Sequence, residues 1–169
     1  TTIAGTYELR ITSYGDAVAG TPRPLPVRPA PTHTPSCEIT SFPDEGSLTY
    51  PRGVFAGGGA DVGIATYDVY KNPREIGGDE LTILVVGNET QSVDVVDHGD
   101  STYNSPFNIT ISGDYLVNIQ IESVHIDGSP RNLLIRPAEI DPSKCESFGW
   151  GIIGAAVGAT NRFKIQARG

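Results

Sequence analysis

Apolar and polar residues alternate with a period of two through the middle of this chain. Leu81-Ile83-Val85, Val93-Val95 and Tyr115-Val117-Ile119-Ile121 each put apolar side chains on one face, while Asp94, Asn118 and Gln120 fall on the other. Such alternation marks strands with one buried face. Turn-forming pairs separate the runs: Asn72-Pro73, Gly77-Gly78, Gly87-Asn88, Gly99-Asp100 and Asp127-Gly128. No helical period is sustained. The pattern predicts seven strands near 36–41, 62–70, 80–87, 91–97, 102–107, 114–121 and 129–136. Short antiparallel strands at this spacing predict an all-β fold, a two-sheet immunoglobulin-like sandwich.

The chain also repeats itself. The segment Ala4 to Glu38 aligns without a gap on Ser112 to Glu146, at an offset of 108. Identical pairs include Gly5/Gly113, Tyr7/Tyr115, Ile11/Ile119, Gly20/Gly128, Arg23/Arg131, Arg28/Arg136 and Cys37/Cys145. The period is about that of one small sandwich, so a tandem array is expected. Residues 1–31 read as the C-terminal part (strands F and G) of a preceding repeat. Residues 36–138 read as a complete repeat, and 139–169 as the N-terminal part (strands A and B) of a following one. Pro-rich joints at 29–35 and 137–142 are extended and stiff. The chain therefore reads as a piece of something longer.

Composition narrows the partners. There are 12 Lys and Arg against 20 Asp and Glu, a formal net charge of −8. That balance argues against nucleic acid and anionic membrane surfaces, which attract clustered basic residues. No stretch approaches the roughly 18 uninterrupted apolar residues of a membrane span.

The middle unit resembles a filamin-type repeat, an immunoglobulin-like module of tandem arrays. The resemblance rests on Gly77-Gly78-Asp79, on Val95…Asp97…Asp100-Ser101-Thr102-Tyr103, on Gly113-Asp114-Tyr115 and on Ile126-Asp127-Gly128-Ser129-Pro130. Asp141-Pro142-Ser143-Lys144-Cys145, Phe163, Ile165 and Ala167 resemble the opening of the next repeat. Three departures stand out: Ser101 where the family has Gly, Arg131 after Ser-Pro, and an A–B link (42–61) about ten residues longer than its counterpart at 150–160.

Other motifs weigh less. Gly149-Trp150-Gly151-Ile152-Ile153-Gly154 matches a dinucleotide fingerprint, but no Asp or Glu follows it to hold a ribose, so it reads as the crossing between strands A and B. Cys37 and Cys145 occupy equivalent positions of successive repeats, which makes them unpaired small hydrophobes rather than a disulfide. Asp94, Asp97, His98 and Asp100 lack the alternating ligand series of a calcium loop and read as solvated turn residues. No catalytic set, cofactor motif or metal-ligand spacing is present, so the unit is expected not to be an enzyme and to take no cofactor. Asn88-Glu89-Thr90 and Asn108-Ile109-Thr110 are glycosylation sequons, at a number that chance also produces.

The resemblance implies a non-catalytic spacer and protein-interaction module, like the rod repeats of a cytoplasmic actin cross-linker. Actin would be bound only indirectly, through a head domain elsewhere. Partner peptides would add a strand at the C–D edge, where Leu84, Ser92, Val93, Asp94, Val95 and Val96 are the candidate contacts. The bland alternative is an ordinary sandwich edge that Asp94 and Asp97 guard against aggregation. A rival from another class is an extracellular adhesion ectodomain using the sequons at Asn88 and Asn108. A third is an accessory repeat of a multidomain enzyme.

Overall fold

The computed structural model describes residues 1–168. The first segment is a hairpin, β1 (Gly5–Leu9) against β4 (Arg23–Val27), whose tip carries the short pair β2 (Thr12–Ser13) and β3 (Asp16–Ala17). The central segment runs β5 (Glu38–Ser41), β6 (Val54–Phe55), β7 (Gly59–Ala65), β8 (Leu81–Val86), β9 (Thr90–Val93) and β10 (Val96–Asp97). It continues with β11 (Thr102–Asn108), β12 (Gly113–Ile121), β13 (Val124–His125) and β14 (Arg131–Arg136). A last pair, β15 (Glu146–Phe148) and β16 (Lys164–Gln166), closes the described chain.

The central strands form two sheets. One has the order β10-β11-β7-β5, and the other β6-β14-β12-β8-β9 with β13 added to β12. Alternation on β8, β11, β12 and β14 turns Ile83, Val85, Tyr103, Phe107, Tyr115, Val117, Ile119, Ile121, Leu133 and Ile135 into one shared core. This is the immunoglobulin-like sandwich that the alternation predicted. Tyr115 adds a further feature of that fold: its hydroxyl donates to Ile111 O, four residues upstream, at 2.8 Å.

The internal repeat is visible in the backbone. Gly5 pairs with Val27 and Tyr7 with Leu25, as Gly113 pairs with Ile135 and Tyr115 with Leu133, each at the offset of 108. Gly5 and Gly113 both open their strands at φ near +150°, where a side chain is strained. Tyr7 donates to Ile3 O at 2.8 Å, as Tyr115 does to Ile111 O.

Four details differ from the sequence reading. The run 91–97 is not one strand: the chain leaves one sheet after Val93 and joins the other at Val96. The predicted strand 62–70 is displaced, since β7 runs Gly59–Ala65 and residues 66–70 lie beyond it in a loop. The predicted A–B link also holds a short strand, β6, which runs parallel to β14. Finally, the span from the first strand to its paired residue exceeds its counterpart by seven residues, where the links were expected to differ by about ten. Glu38 pairs with Ala65, whereas Glu146 pairs with Gln166.

The Gly-rich string at 149–154 holds a single 3-10 turn, Trp150–Ile152, between β15 and β16, and among the described residues no helix follows it. Cys37 is buried, Cys145 partly so, and both are free thiols. No helix among the described residues is long and apolar enough to cross a membrane.

Ile119 is fully buried and Leu134 is 52% exposed on the outer face of the same sheet. Ile119→Ala is expected to cost about 2–5 kcal/mol, and Leu134→Ala no more than about 0.5 kcal/mol. Denaturant midpoints check both, and equal losses would contradict this placement of the core.

Candidate functional site

The candidate edge is built from β8, β9 and β10. Strand β8 turns Ile83 and Val85 inward and leaves Leu84 and Val86 on the outer face. Strand β9 pairs with it, Leu84 opposite Ser92 and Ile83 opposite Val93. Leu84 and Ser92 are therefore neighbours on the outer surface, while Val93 points into the core. Asp94 and Val95 make the crossing between sheets: Ser105 Oγ donates to Asp94 O at 2.8 Å, and Val95 packs on the core. Val96 emerges exposed, opposite Asn104.

Both β9 and β10 are terminal strands of their sheets. The segment 90–97 is thus one continuous margin of the sandwich, its first half on one sheet and its second half on the other. Because β9 covers Ile83 to Val86, an added strand has to run along the outer side of β9, or beside Leu81 and Thr82 where β8 has no partner there.

The acidic residues of this region hold turns together. Asp97 accepts from Gly78 N and Gly99 N, each at 2.7 Å, which ties the turn before β8 to the turn after β10. A side chain at Gly77 would collide with that carboxylate. Asp100 accepts from Thr102 N at 3.1 Å, and the Thr102 hydrogen bonds hold its carboxyl below the usual range. Asp94 is exposed.

Of the two sequons, Asn88 lies at the β8–β9 tip, where its Nδ2 donates to Ser112 O at 2.9 Å. Asn108 ends β11, opposite Gly59, and is exposed.

A second polar constellation lies at the far end of the unit, in the loop after β7, where the alternation predicted strand as far as residue 70. Asp68 is 1% exposed. Its Oδ1 accepts from Tyr70 N at 2.8 Å and Asn72 N at 2.9 Å; its Oδ2 accepts from Asn72 Nδ2 at 2.9 Å and Ala30 N at 3.0 Å. Burial alone would push this carboxyl up, and the hydrogen bonds from Asn72, Ala30 and Tyr70 outweigh it, holding it at about 2.

Nearby, Asp79 accepts from Thr66 Oγ1 at 2.8 Å, from Tyr103 Oη at 2.9 Å and from Thr32 Oγ1. Burial, together with Asp79, pushes the Tyr103 phenol up to about 12. The detectable signal was an Asp four residues before an Asn-Pro turn, a spacing that closes an Asx-type loop.

The Filamin/ABP280 repeat family model matches residues 46–132. Filamin-C of Rattus norvegicus is 27% identical over 171 aligned residues, covering 98% of this chain, and filamin-C of Mus musculus matches to the same extent. The chain spans 6% of the length of those relatives. Among solved structures, the Escherichia coli adhesin FdeC superposes with a TM-score of 0.60 at 14% identity, over 86% of this chain and 44% of that one. Invasin, a bacterial integrin-binding protein, gives 0.52 at 12% identity, over 86% of this chain and 28% of invasin. At these identities the likeness to the two structures is one of fold.

The folded value of Asp68 lies below the ordinary 3.8, so the stability it contributes is full above about 3.8 and is lost as the pH falls toward about 2. Between pH 4 and 2 the melting temperature of the wild type is expected to fall more steeply than that of Asp68→Asn. Parallel slopes in the two proteins would contradict the hydrogen-bonded carboxylate.

Proposed function

We propose, since this chain belongs to the filamin repeat family, that it is a non-catalytic stretch of tandem repeats serving as spacer and protein-interaction module. Residues 1–31, 36–138 and 139–169 are taken as the end of one repeat, a complete repeat and the start of a third. The common register of the β1–β4 and β12–β14 hairpins supports this division. So does an alignment to filamin-C that extends over 98% of the chain, well beyond the family-model match.

In this reading the chain works in the cytoplasm as part of an actin-linked rod. Actin itself is engaged by a head domain elsewhere in the protein. Partner peptides dock by adding a strand along 90–97. One observation carries the proposal: the segment presents a continuous backbone margin, terminal in both sheets, with Leu84, Ser92 and Val96 exposed beside it. Backbone pairing supplies affinity there, and side chains at alternate positions supply selectivity.

The probe is a ten-residue synthetic peptide of alternating Val and Thr flanked by Lys, whose charge complements Asp94 and Asp97. Added to isotope-labelled chain, it is expected to shift the amides of 81–84 and 90–97 and few others. Ser92→Lys with Val96→Lys is expected to weaken binding about tenfold or more, through charge repulsion on the edge. Shifts scattered over the surface, or an unchanged affinity in the double variant, would overturn edge docking.

A second reading, an extracellular adhesion ectodomain, is favoured by the two exposed sequons. It parts from the first at Asn88, because a sugar on Nδ2, the atom that donates to Ser112 O, would stand at the tip of β9. Mass spectrometry of the native protein is expected to find the peptides containing Asn88 and Asn108 unmodified. A glycan on Asn88 would sink the docking proposal and favour the ectodomain.

A further inference from the structure

The joint between the first hairpin and the complete unit is held by more than the stiffness of its prolines. Asp68 Oδ2 accepts from Ala30 N at 3.0 Å, and Arg74 Nη1 donates to Ala30 O at 3.1 Å. Three residues on, His33 N donates to Tyr67 O at 2.9 Å, and the Thr32 hydroxyl donates to Asp79 between them. Asn72 reaches the other strand of the hairpin: its Nδ2 donates to Thr2 O at 2.7 Å and its Oδ1 accepts from Ala4 N at 2.9 Å.

Thr2 and Ala4 lead into β1, and Ala30 follows β4, so these contacts fall on both sides of the hairpin base, where Gly5 pairs with Val27. A single linker contact would leave a swivel. Attachment at two strands fixes direction and rotation as well.

The loop is prepared for this. Three of the four hydrogen bonds to Asp68 come from its own loop, from Tyr70 N, Asn72 N and Asn72 Nδ2, and hold the carboxylate in place. Asn72 is itself oriented by Asp68. Breaking the joint would expose a carboxylate and a carboxamide whose remaining partners lie across it.

We infer that the loop 66–74, with Asp79, is a docking site for the base of a preceding repeat's terminal hairpin, and that the complete unit offers the matching base to a following repeat. This rests on residues 1–31 being the end of a repeat. The 108-residue offset places the counterparts of Thr2 O, Ala4 N and Ala30 at Thr110 O, Ser112 N and Ala138. Among the described residues, none of these groups is engaged in a hydrogen bond within the chain.

The counterparts flank the Gly113–Ile135 end of β12 and β14. The docking loop follows Ala65, which pairs with Glu38 beside Asp127 at the other end. The two halves therefore sit at opposite ends of one unit. The partner for the second half is a loop carrying a carboxylate four residues before a carboxamide. Its carboxylate accepts from Ala138 N, and its carboxamide bridges Ser112 N and Thr110 O. Contacts of this head-to-tail kind do not close; they extend into a linear array of set orientation.

Amide hydrogen exchange on the 169-residue chain reads the joint directly. The Ala4 and Ala30 amides are expected to exchange at least about 100-fold more slowly than open-chain amides. Asp68→Asn replaces the Oδ2 acceptor with a donor and should speed Ala30 about tenfold or more, while Asn72→Ala should do the same at Ala4. Val117 and Ile119 report that the unit remains folded in each variant.

Fast exchange at Ala4 and Ala30 in the wild type, with β1 and β4 protected, would overturn the docking site and leave the repeat assignment standing. Loss of protection in β1 and β4 as well would remove both. In a chain extended through the following repeat, Ser112 and Ala138 are expected to slow about tenfold or more. Unchanged rates there would refute the second half.

Discussion

The inward row of β12 is the constraint on which the rest of the structure depends. Tyr115, Val117, Ile119 and Ile121 are all almost completely buried, and the strand that carries them pairs with β8, β14 and β13. Fully burying one such side chain is worth about 1.5–3 kcal/mol, so the row contributes on the scale of a domain's entire net stability. A one-residue slip would turn the row to solvent and replace it with Leu116, Asn118 and Gln120. Burial therefore sets the register of β12, and β12 sets the register of both its main neighbours. The Tyr115 hydroxyl, reaching back to Ile111 O, ties the start of that strand to the chain that enters it.

Given this core, the polar residues sort by what they fasten. Asp97 joins two turns beside the outer edge, and Asp100 caps the turn before β11. Arg131 pairs with Asp44 and Arg136 with Glu45, drawing the long A–B link against β14. These two ion pairs are about half-exposed and position the link more than they stabilise it. Asp68 differs in kind, because its carboxylate is buried and its hydrogen bonds come from two segments far apart in sequence. Acidic residues that composition alone assigns to solvent are here divided between surface, turn and joint.

The candidate edge and the joint occupy different parts of the same unit. On the proposed reading, spacing and docking are therefore compatible: one end of the central sandwich holds the first hairpin while the lateral margin along 90–97 is terminal in both sheets. The offset of 108 that would space such an array recurs here in strand pairing as well as in residue identity. The alternation legible in the chain located the core strands, the turns between them, and Leu84 and Ser92 on the outer face. It read 91–97 as a single strand, because Val93, Asp94, Val95 and Val96 satisfy a period of two whether or not the chain changes sheets. The crossing depends on Ser105 holding Asp94 O, a partner eleven residues away that periodicity does not register.

By itself, the sequence determined the fold class, the repeat and its period, and the identity of most core residues. Each of these follows from local spacing: alternation selects a face, glycine and proline select turns, and identical residues at a constant offset reveal the copy. Only the tertiary structure decided which edges remain open, how strands β5/β6 and β9/β10 are shared between sheets, and that Asp68 and Asn72 hold the preceding hairpin. Those outcomes depend on which backbone groups remain unpaired after the sheets assemble, and on donors brought together from positions as far apart as Thr2 and Asn72. Hydrogen bonds require distance and direction in space, and spacing along the chain carries neither.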